Sequence, residues 1–225
     1  MVARANSREG GFTLIEIAIV ITIIAIMSAL AIPAMEQWVS NARLKEAARQ
    51  VADAFALARE RSIRTGDYTI VFFQKDMLGA ALLSGGNPVP ILTLDDGRPN
   101  TPGHTCRITP AKAQTAVNAQ TGVNWGDTFA GAVRAPNDTG TAANFSVSGS
   151  SFTDQTGAPA TWVMFDPNGI PLGVTPACVA GITGSGGGTI YITNGNRDYA
   201  VSLSPLGGVY VTTWNAKAAP PAWRP

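Results

Sequence analysis

Phe12 and Glu16 stand four residues apart at the head of an apolar run, residues 12–32, in which Glu16 is the only charged side chain. A carboxylate within a membrane-length apolar segment is expensive to bury. Two chemistries relieve that cost. One turn from the interface, the carboxylate can snorkel to the polar boundary. Alternatively, it can be neutralised by a cation that only proteolysis creates. A cut after Gly11 would give Phe12 a free α-amino group, and residues four apart lie near one helix face. In a bundle of such helices the amine could instead come from a neighbouring chain. The carboxylate would then be inexpensive to bury only in the assembled state, which makes it a device for setting register.

The other reactive groups offer less. His104 is the sole imidazole, and Cys106 and Cys178 are the only thiols. Those counts exclude a site built from several His or Cys ligands, including a complete structural zinc site. His104 follows Pro102-Gly103 and reads as a loop residue, since no Gly-x-Ser-x-Gly elbow accompanies it. Asp95-Asp96-Gly97 makes a poor calcium loop without further oxygen ligands. No Gly-Lys dipeptide occurs, which excludes a Walker A loop; residues 182–188, with their Gly-Ser-Gly-Gly-Gly run, read as a flexible loop. No catalytic residue, metal or cofactor is expected, and the chain is not expected to be an enzyme.

The elements around the Phe12–Glu16 pair follow from length and periodicity. Residues 12–32 would span about 31 Å as a helix, enough to cross a hydrocarbon core of about 30 Å. The β-branched run of residues 19–24 would suit a buried strand, but the continuous apolar length favours a transmembrane helix. It is also too long for an ordinary secretory signal, whose only Ala-type exit here would be Ser28-Ala29-Leu30-Ala31. Residues 1–11 carry Arg4 and Arg8 against Glu9, and a positive flank stays cytoplasmic. Everything after Ile32 is therefore expected outside the cytoplasm.

Beyond Pro33 the helix is expected to continue to Thr65, with Gly66 as its C-cap. Leu44, Ala48, Val51, Phe55, Ala58 and Ser62 fall on one mostly apolar face, while Arg43, Glu46, Gln50, Asp53, Glu60 and Arg64 fall on a polar one. Pro33 is expected to kink or locally unwind the helix, or to mark a plain boundary at the membrane surface. From Tyr68 the pattern turns β. Runs at 68–74, 80–83, 91–94, 105–109, 161–165, 189–193, 199–204 and 209–214 read as strands. Asn194-Gly195 and Asp166-Pro167-Asn168-Gly169 read as turns. Residues 139–160 read as a long loop or a weak strand pair.

Bulk charge constrains partners. The 225 residues carry a formal net charge of +1 and only 14% charged side chains, which excludes a strongly basic nucleic-acid protein. Past Gly66 there are eight Lys and Arg against nine Asp. Lys217, Trp223 and Arg224 near the end form one basic-aromatic group, the right physics for a single strand.

The string Gly11-Phe12-Thr13-Leu14-Ile15-Glu16 resembles the class III signal of type IV pilins and type II secretion pseudopilins. The likeness covers about residues 8–65: a short basic leader, Gly before the cut, Phe after it, Glu four residues on, a long apolar helix and Pro33 at its end. The resemblance implies cleavage by a prepilin peptidase between Gly11 and Phe12, with N-methylation of Phe12. It gives Glu16 the role of the subunit-registering carboxylate and implies assembly with other pilin or pseudopilin subunits on an inner-membrane platform. Arg59-Glu60-Arg61-Ser62 with residues 68–73, then 162–169 and 199–209, resemble GspH/FimT-type minor pilins; residues 85–155 resemble nothing recognised. The expected fold is α+β, a long N-terminal helix packed on an antiparallel β head. Its parts would be a leader (1–11), a transmembrane helix (12–32), an amphipathic continuation (33–66) and a periplasmic head (67–225).

On this topology Cys106 and Cys178 face an oxidising compartment and are expected to be bonded, which would contribute roughly 4 kcal/mol by the chain-entropy model. The expected location is the bacterial inner membrane, single-pass, with the head periplasmic and filament-associated on assembly. The expected role is structural: priming, tipping or joining a filament. Some minor pilins act in DNA uptake, and DNA-binding relatives tend to carry arginines in the final Gly-containing turn. Leu206-Gly207-Gly208-Val209 has none, so nucleic acid stands as the disfavoured partner. An uncleaved single-pass membrane protein with a ligand-binding β head is the alternative from another class.

Overall fold

The computed structural model describes residues 12–84, 86–94, 99, 106–108, 113–117, 120–131, 133–217, 220 and 222–225. Gly11, Asp95-Asp96-Gly97 and His104 lie outside the described residues, as do the two ends of the 105–109 run; its middle, residues 106–108, is irregular and not the expected strand. By compactness the chain divides into Met1–Ser40 and Asn41–Pro225.

One helix, α1 (Leu14–Thr65), runs through both units. Its first part is apolar on every side: Ile17, Ile21, Ile24 and Leu30 are all exposed. An apolar window of this helix reaches a mean hydropathy of 2.7, and α1 is long and apolar enough to cross a membrane. The local unwinding expected at Pro33 does not occur, nor does a helix boundary there; the helical assignment is continuous through Pro33. Proline removes only its own N–H bond to the carbonyl four residues back, and the good helix formers around it, Ala29, Leu30, Met35 and Glu36, carry the remaining ladder.

In the second unit, Leu44, Ala48, Val51, Phe55, Ala58 and Ser62 are all buried, so the face written at helical spacing is the face that packs. It packs on two antiparallel five-stranded sheets. The first is ordered β5 (Ala113–Val117), β4 (Ile91–Leu94), β1 (Thr69–Phe73), β7 (Trp162–Phe165) and β8 (Pro171–Leu172). The second is ordered β12 (Ala222–Arg224), β11 (Val209–Asn215), β10 (Asp198–Leu203), β9 (Gly188–Thr193) and β6 (Asn124–Trp125). A small hairpin, β2 (Leu83–Ser84) with β3 (Asn87–Pro88), stands apart, and α2 (Phe145–Ser148) is one turn of helix.

Alternation along the strands sorts the core. Val71, Phe73, Val163 and Phe165 of the first sheet join Ile190, Ile192, Val201 and Leu203 of the second around the α1 face. Ile70, Phe72, Leu92 and Met164 point to the opposite side of the first sheet and build a second core with Trp162, Val174, Cys106 and Cys178. Tyr191 and Ala200 point away from the helix on the second sheet, into a third core with Phe145, Trp223 and the half-buried Trp214. The central strands are thus covered on both faces. That is why β1 reads as an unbroken apolar run, with all five residues buried.

The connections supply the outer covers. Cys106 and Cys178 are joined by a disulfide, with Cα atoms 5.4 Å apart and a sequence separation of 72. It ties residues 106–108 to the turn at Thr175–Cys178, where the Cys178 N–H bonds to the Thr175 carbonyl. Against expectation, residues 182–188 are not a free loop. A methyl group at Gly186 would collide with the backbone of Pro171 and Leu172, one at Gly187 with Thr139, and one at Gly188 would sit 2.6 Å from the ring of Phe152. These glycines are there because neighbouring chain approaches too closely for any side chain. The 80–83 run is not one strand: after the reversal at Gly79 (φ 83°) Ala81 makes only an isolated bridge to Lys75, and Leu83 opens the short β2.

Phe152 is 1% exposed and packed against Phe55 and Phe73, so it has nowhere to move. Gly188→Ala is therefore expected to destabilise the head by about 1–3 kcal/mol through overpacking. Denaturant unfolding of the full chain in detergent reads this directly, and an unchanged midpoint would refute the close-approach account.

Candidate functional site

The first turn of α1 is built from the sequence Thr13-Leu14-Ile15-Glu16. Thr13 is the residue before the helix, and its Oγ1 accepts the Glu16 N–H at 3.3 Å. Glu16 returns the contact: its Oε2 accepts the Thr13 N–H at 3.1 Å and the Thr13 hydroxyl at 3.2 Å. This reciprocal pair is a capping box, which satisfies donors that a helix start otherwise leaves bare. It is legible as Thr13-x-x-Glu16 ahead of an apolar run, a signal that overlaps the Phe12–Glu16 spacing. An acidic group here also meets the positive end of the helix dipole. Phe12, 85% exposed, directly precedes the box. Pro33 lies within α1, exposed.

The box gives Glu16 a partner in its own chain, beside the two outlets its sequence suggested. Each capping bond of the carboxylate uses Oε2; among the described residues Oε1 accepts none. One oxygen remains for a cation from outside the turn.

The head holds two carboxylates that the sequence did not single out, and both act as internal pins. Asp198, fully buried, accepts the backbone N–H groups of Thr128, Phe129 and Ala130 at 2.6–3.1 Å. It fastens the segment before β7 to the second sheet. Asp138 accepts Arg134 at 2.9 Å, the Tyr191 hydroxyl at 2.7 Å, and the Ser151 hydroxyl. Arg134 also donates to the carbonyls of Gly140 and Ala142 and lies 4.4 Å over the Phe145 ring. Burial pushes the Tyr191 phenol far above its ordinary range, and the nearby Asp138 charge pushes the same way, so the phenol stays a donor. Every one of these polar groups is spent on neighbours, which leaves no free nucleophile–base pair in the cluster. Among the described residues no group of three or more His, Cys, Asp and Glu is placed to hold a metal ion.

The basic-aromatic group near the end divides. Trp223 is 6% exposed, its Nε1 donates to the Val133 carbonyl at 2.7 Å, and its ring packs against Tyr191 and Trp214. It offers no face on which a base can stack, which corrects the sequence expectation. β12 pairs with β11, turning this aromatic side chain inward. Lys217 and Arg224 remain exposed.

Among known proteins, a family model described as the prokaryotic N-terminal methylation motif matches residues 6–32. Curated proteins and solved structures give no match.

The matched segment contains the capping box. Thr13→Val keeps the volume and removes the acceptor for the Glu16 N–H, which costs about 1 kcal/mol at an ordinary helix start. Amides of the first turn should then exchange about fivefold faster in a bilayer nanodisc, with the amides of 20–30 unaffected. Equal exchange in both proteins would show that the box does not hold the turn.

Proposed function

From its type IV pilin-like N-terminal segment and its α+β architecture of one long helix and a β head, we propose that the chain is a minor pilin or pseudopilin of the GspH/FimT type. Its role is structural, not enzymatic: it primes, tips or joins a type IV pilus or a type II secretion pseudopilus. A prepilin peptidase cuts between Gly11 and Phe12 and methylates the new Phe12 amine. The mature subunit stands in the bacterial inner membrane through residues 12–32, with its head in the periplasm, until other subunits and the inner-membrane assembly platform draw it into a filament.

One observation carries this reading. The only charged side chain of residues 12–32, the part of the helix that is apolar all round, sits in the first turn, inside the segment that matches the methylation motif. There it can meet an α-amino group that processing alone supplies. The buried Trp223 weighs against the nucleic-acid alternative.

Mass spectrometry of the membrane form tests the processing step. The expected species begins at Phe12 and carries one added methyl group; a chain still beginning at Met1, or one cut after Ala31, would overturn it. Two substitutions at Glu16 then separate charge from capping. Glu16→Ala removes both. Glu16→Gln keeps an oxygen for the Thr13 N–H but loses the charge. Both variants should insert normally and both should lose about a hundredfold in filament incorporation, as expected when one partner of a buried ion pair is left alone. Incorporation of Glu16→Gln at the level of the unsubstituted protein would make the residue a cap and nothing more.

A further inference from the structure

Arg197, Lys217 and Arg224 line one groove at an end of the second sheet, together with Asn196 and Trp214. They come from three places in the chain. Arg197 lies in the turn between β9 and β10, Lys217 in the turn after β11, and Arg224 on β12, opposite Thr213. No carboxylate lines the groove among the described residues. Asp198, next to Arg197, is buried and spends its oxygens on the amides of Thr128 to Ala130. Past Gly66 the chain has eight Lys and Arg against nine Asp, so three unpaired cations in one groove are a local arrangement and not a bulk property.

The turn that carries Arg197 has a fixed place in its unit. Asn194, at the start of that turn, donates from Nδ2 to Oδ1 of Asn41 at 3.0 Å. Asn41 is the first residue of its compact unit and follows Ile32, the last residue of the apolar run, by nine positions. Nine residues can span at most about 30 Å. A bilayer that holds residues 12–32 therefore has its polar boundary on a covalent leash of no more than that length from Asn41. Extended Arg and Lys side chains cover part of that leash, and a Debye length of about 8 Å covers more.

We propose that the groove binds anionic lipid headgroups of the leaflet in which the subunit is anchored. It holds the head against the membrane until assembly lifts it away. The proposal rests on the membrane-anchored reading above. The chemistry suits a phosphodiester: two guanidinium forks and one compact ammonium, with no acidic side chain lining the groove among the described residues. Trp214, half-buried and braced at 5.5 Å by Trp223, is a residue type favoured at the membrane interface. Near a charged leaflet each cation strengthens the contact about fivefold, so three give roughly a hundredfold. Such a contact is screened by salt and exchangeable, as a subunit waiting to be extracted requires. A nucleic-acid strand would need an open stacking platform, and the second tryptophan is sealed inside.

The test uses the full chain in nanodiscs, of phosphatidylcholine alone or with phosphatidylglycerol added, read by hydrogen exchange. Amides of 194–197 and 213–217 should slow about tenfold in the anionic discs, and high salt should reverse this. Arg197→Gln alone should lower that protection about fivefold, and the triple Arg197→Gln, Lys217→Gln, Arg224→Gln variant should abolish it. Unchanged exchange in β7 verifies that either variant is folded, and the lipid dependence of the unsubstituted protein stands without them. Equal exchange in both discs, with the chain co-purifying with each, overturns the proposal and leaves the anchoring intact. A chain that co-purifies with neither sinks the anchoring as well. Protection in neutral discs by soluble glycerol phosphate assigns the groove to a free phosphate, and protection there by a single-stranded oligonucleotide assigns it to nucleic acid; either overturns the headgroup.

Discussion

One helix has to satisfy two solvents, and the rest of the molecule is arranged around that demand. Through Ile32 its side chains, Glu16 apart, are apolar on all faces and exposed, an arrangement that calls for an apolar surround such as hydrocarbon. From Leu44 onward a single stripe is apolar, and it is buried completely against two sheets. The change in pattern, from all-round to one-sided, happens without a break in the backbone, even at Pro33. A proline at this point costs one hydrogen bond and one steric contact.

Packing two sheets on one helix leaves their outer faces to be covered, and a chain of this size has few elements left to do it. The segments between β4 and β7 and between β8 and β9 serve as those covers. Apart from β5, β6 and α2 their described residues are irregular, so the polar backbone groups there need partners other than a ladder. Asp198 answers three N–H groups of the covering segment, and Asp138 gathers Arg134, Ser151 and Tyr191 around another part of it. On the first sheet the cover is tied covalently through Cys106 and Cys178 and by the bond of Trp162 Nε1 to the Val174 carbonyl. The glycines at 186–188 belong to the same solution: a cover that lies on backbone instead of on side chains must shed its own side chains.

What could be read from the sequence follows from this division. The helix face from Leu44 to Ser62 was legible because burial imposes a period on it, and the strands β1, β4, β7, β9, β10 and β11 because they are short runs rich in β-branched and aromatic residues between turn signals, the central ones buried on both faces. β5, β6, β8 and β12 were not. Ala113–Val117 has the composition of a loop, and the other three are two or three residues long, too short to show any period. They are strands because neighbouring strands present open edges to them. The Gly-rich 182–188 run was misjudged for the complementary reason: composition alone does not distinguish glycine that is free from glycine that is crowded. Asp138 and Asp198 look like any loop aspartate until the amides around them are placed. At the N-terminus the chemistry was legible but incomplete, since the Thr13 cap was written in the sequence beside the Phe12–Glu16 spacing.

That omission changes how the lone carboxylate is understood. On the proposed pilin reading, a charge in the membrane helix has to be stabilised both before assembly and within it, and a single partner would not serve both stages. The capping box serves the isolated chain: Glu16 faces the bare amides of the first turn and its own Thr13, so the acid is partly satisfied at a helix start that hydrocarbon would otherwise punish. Only Oε2 is committed to those bonds. Oε1 can accept an amine, from Phe12 of the same chain or of a neighbour, without breaking the cap. Geometry therefore allows the two interactions to add: the cap fixes where the carboxylate points, and on the proposed reading the amine would decide which helix it meets. A residue held in one rotamer by its own turn loses little further entropy when the second partner arrives, and its preference among neighbouring helices is sharper for that reason.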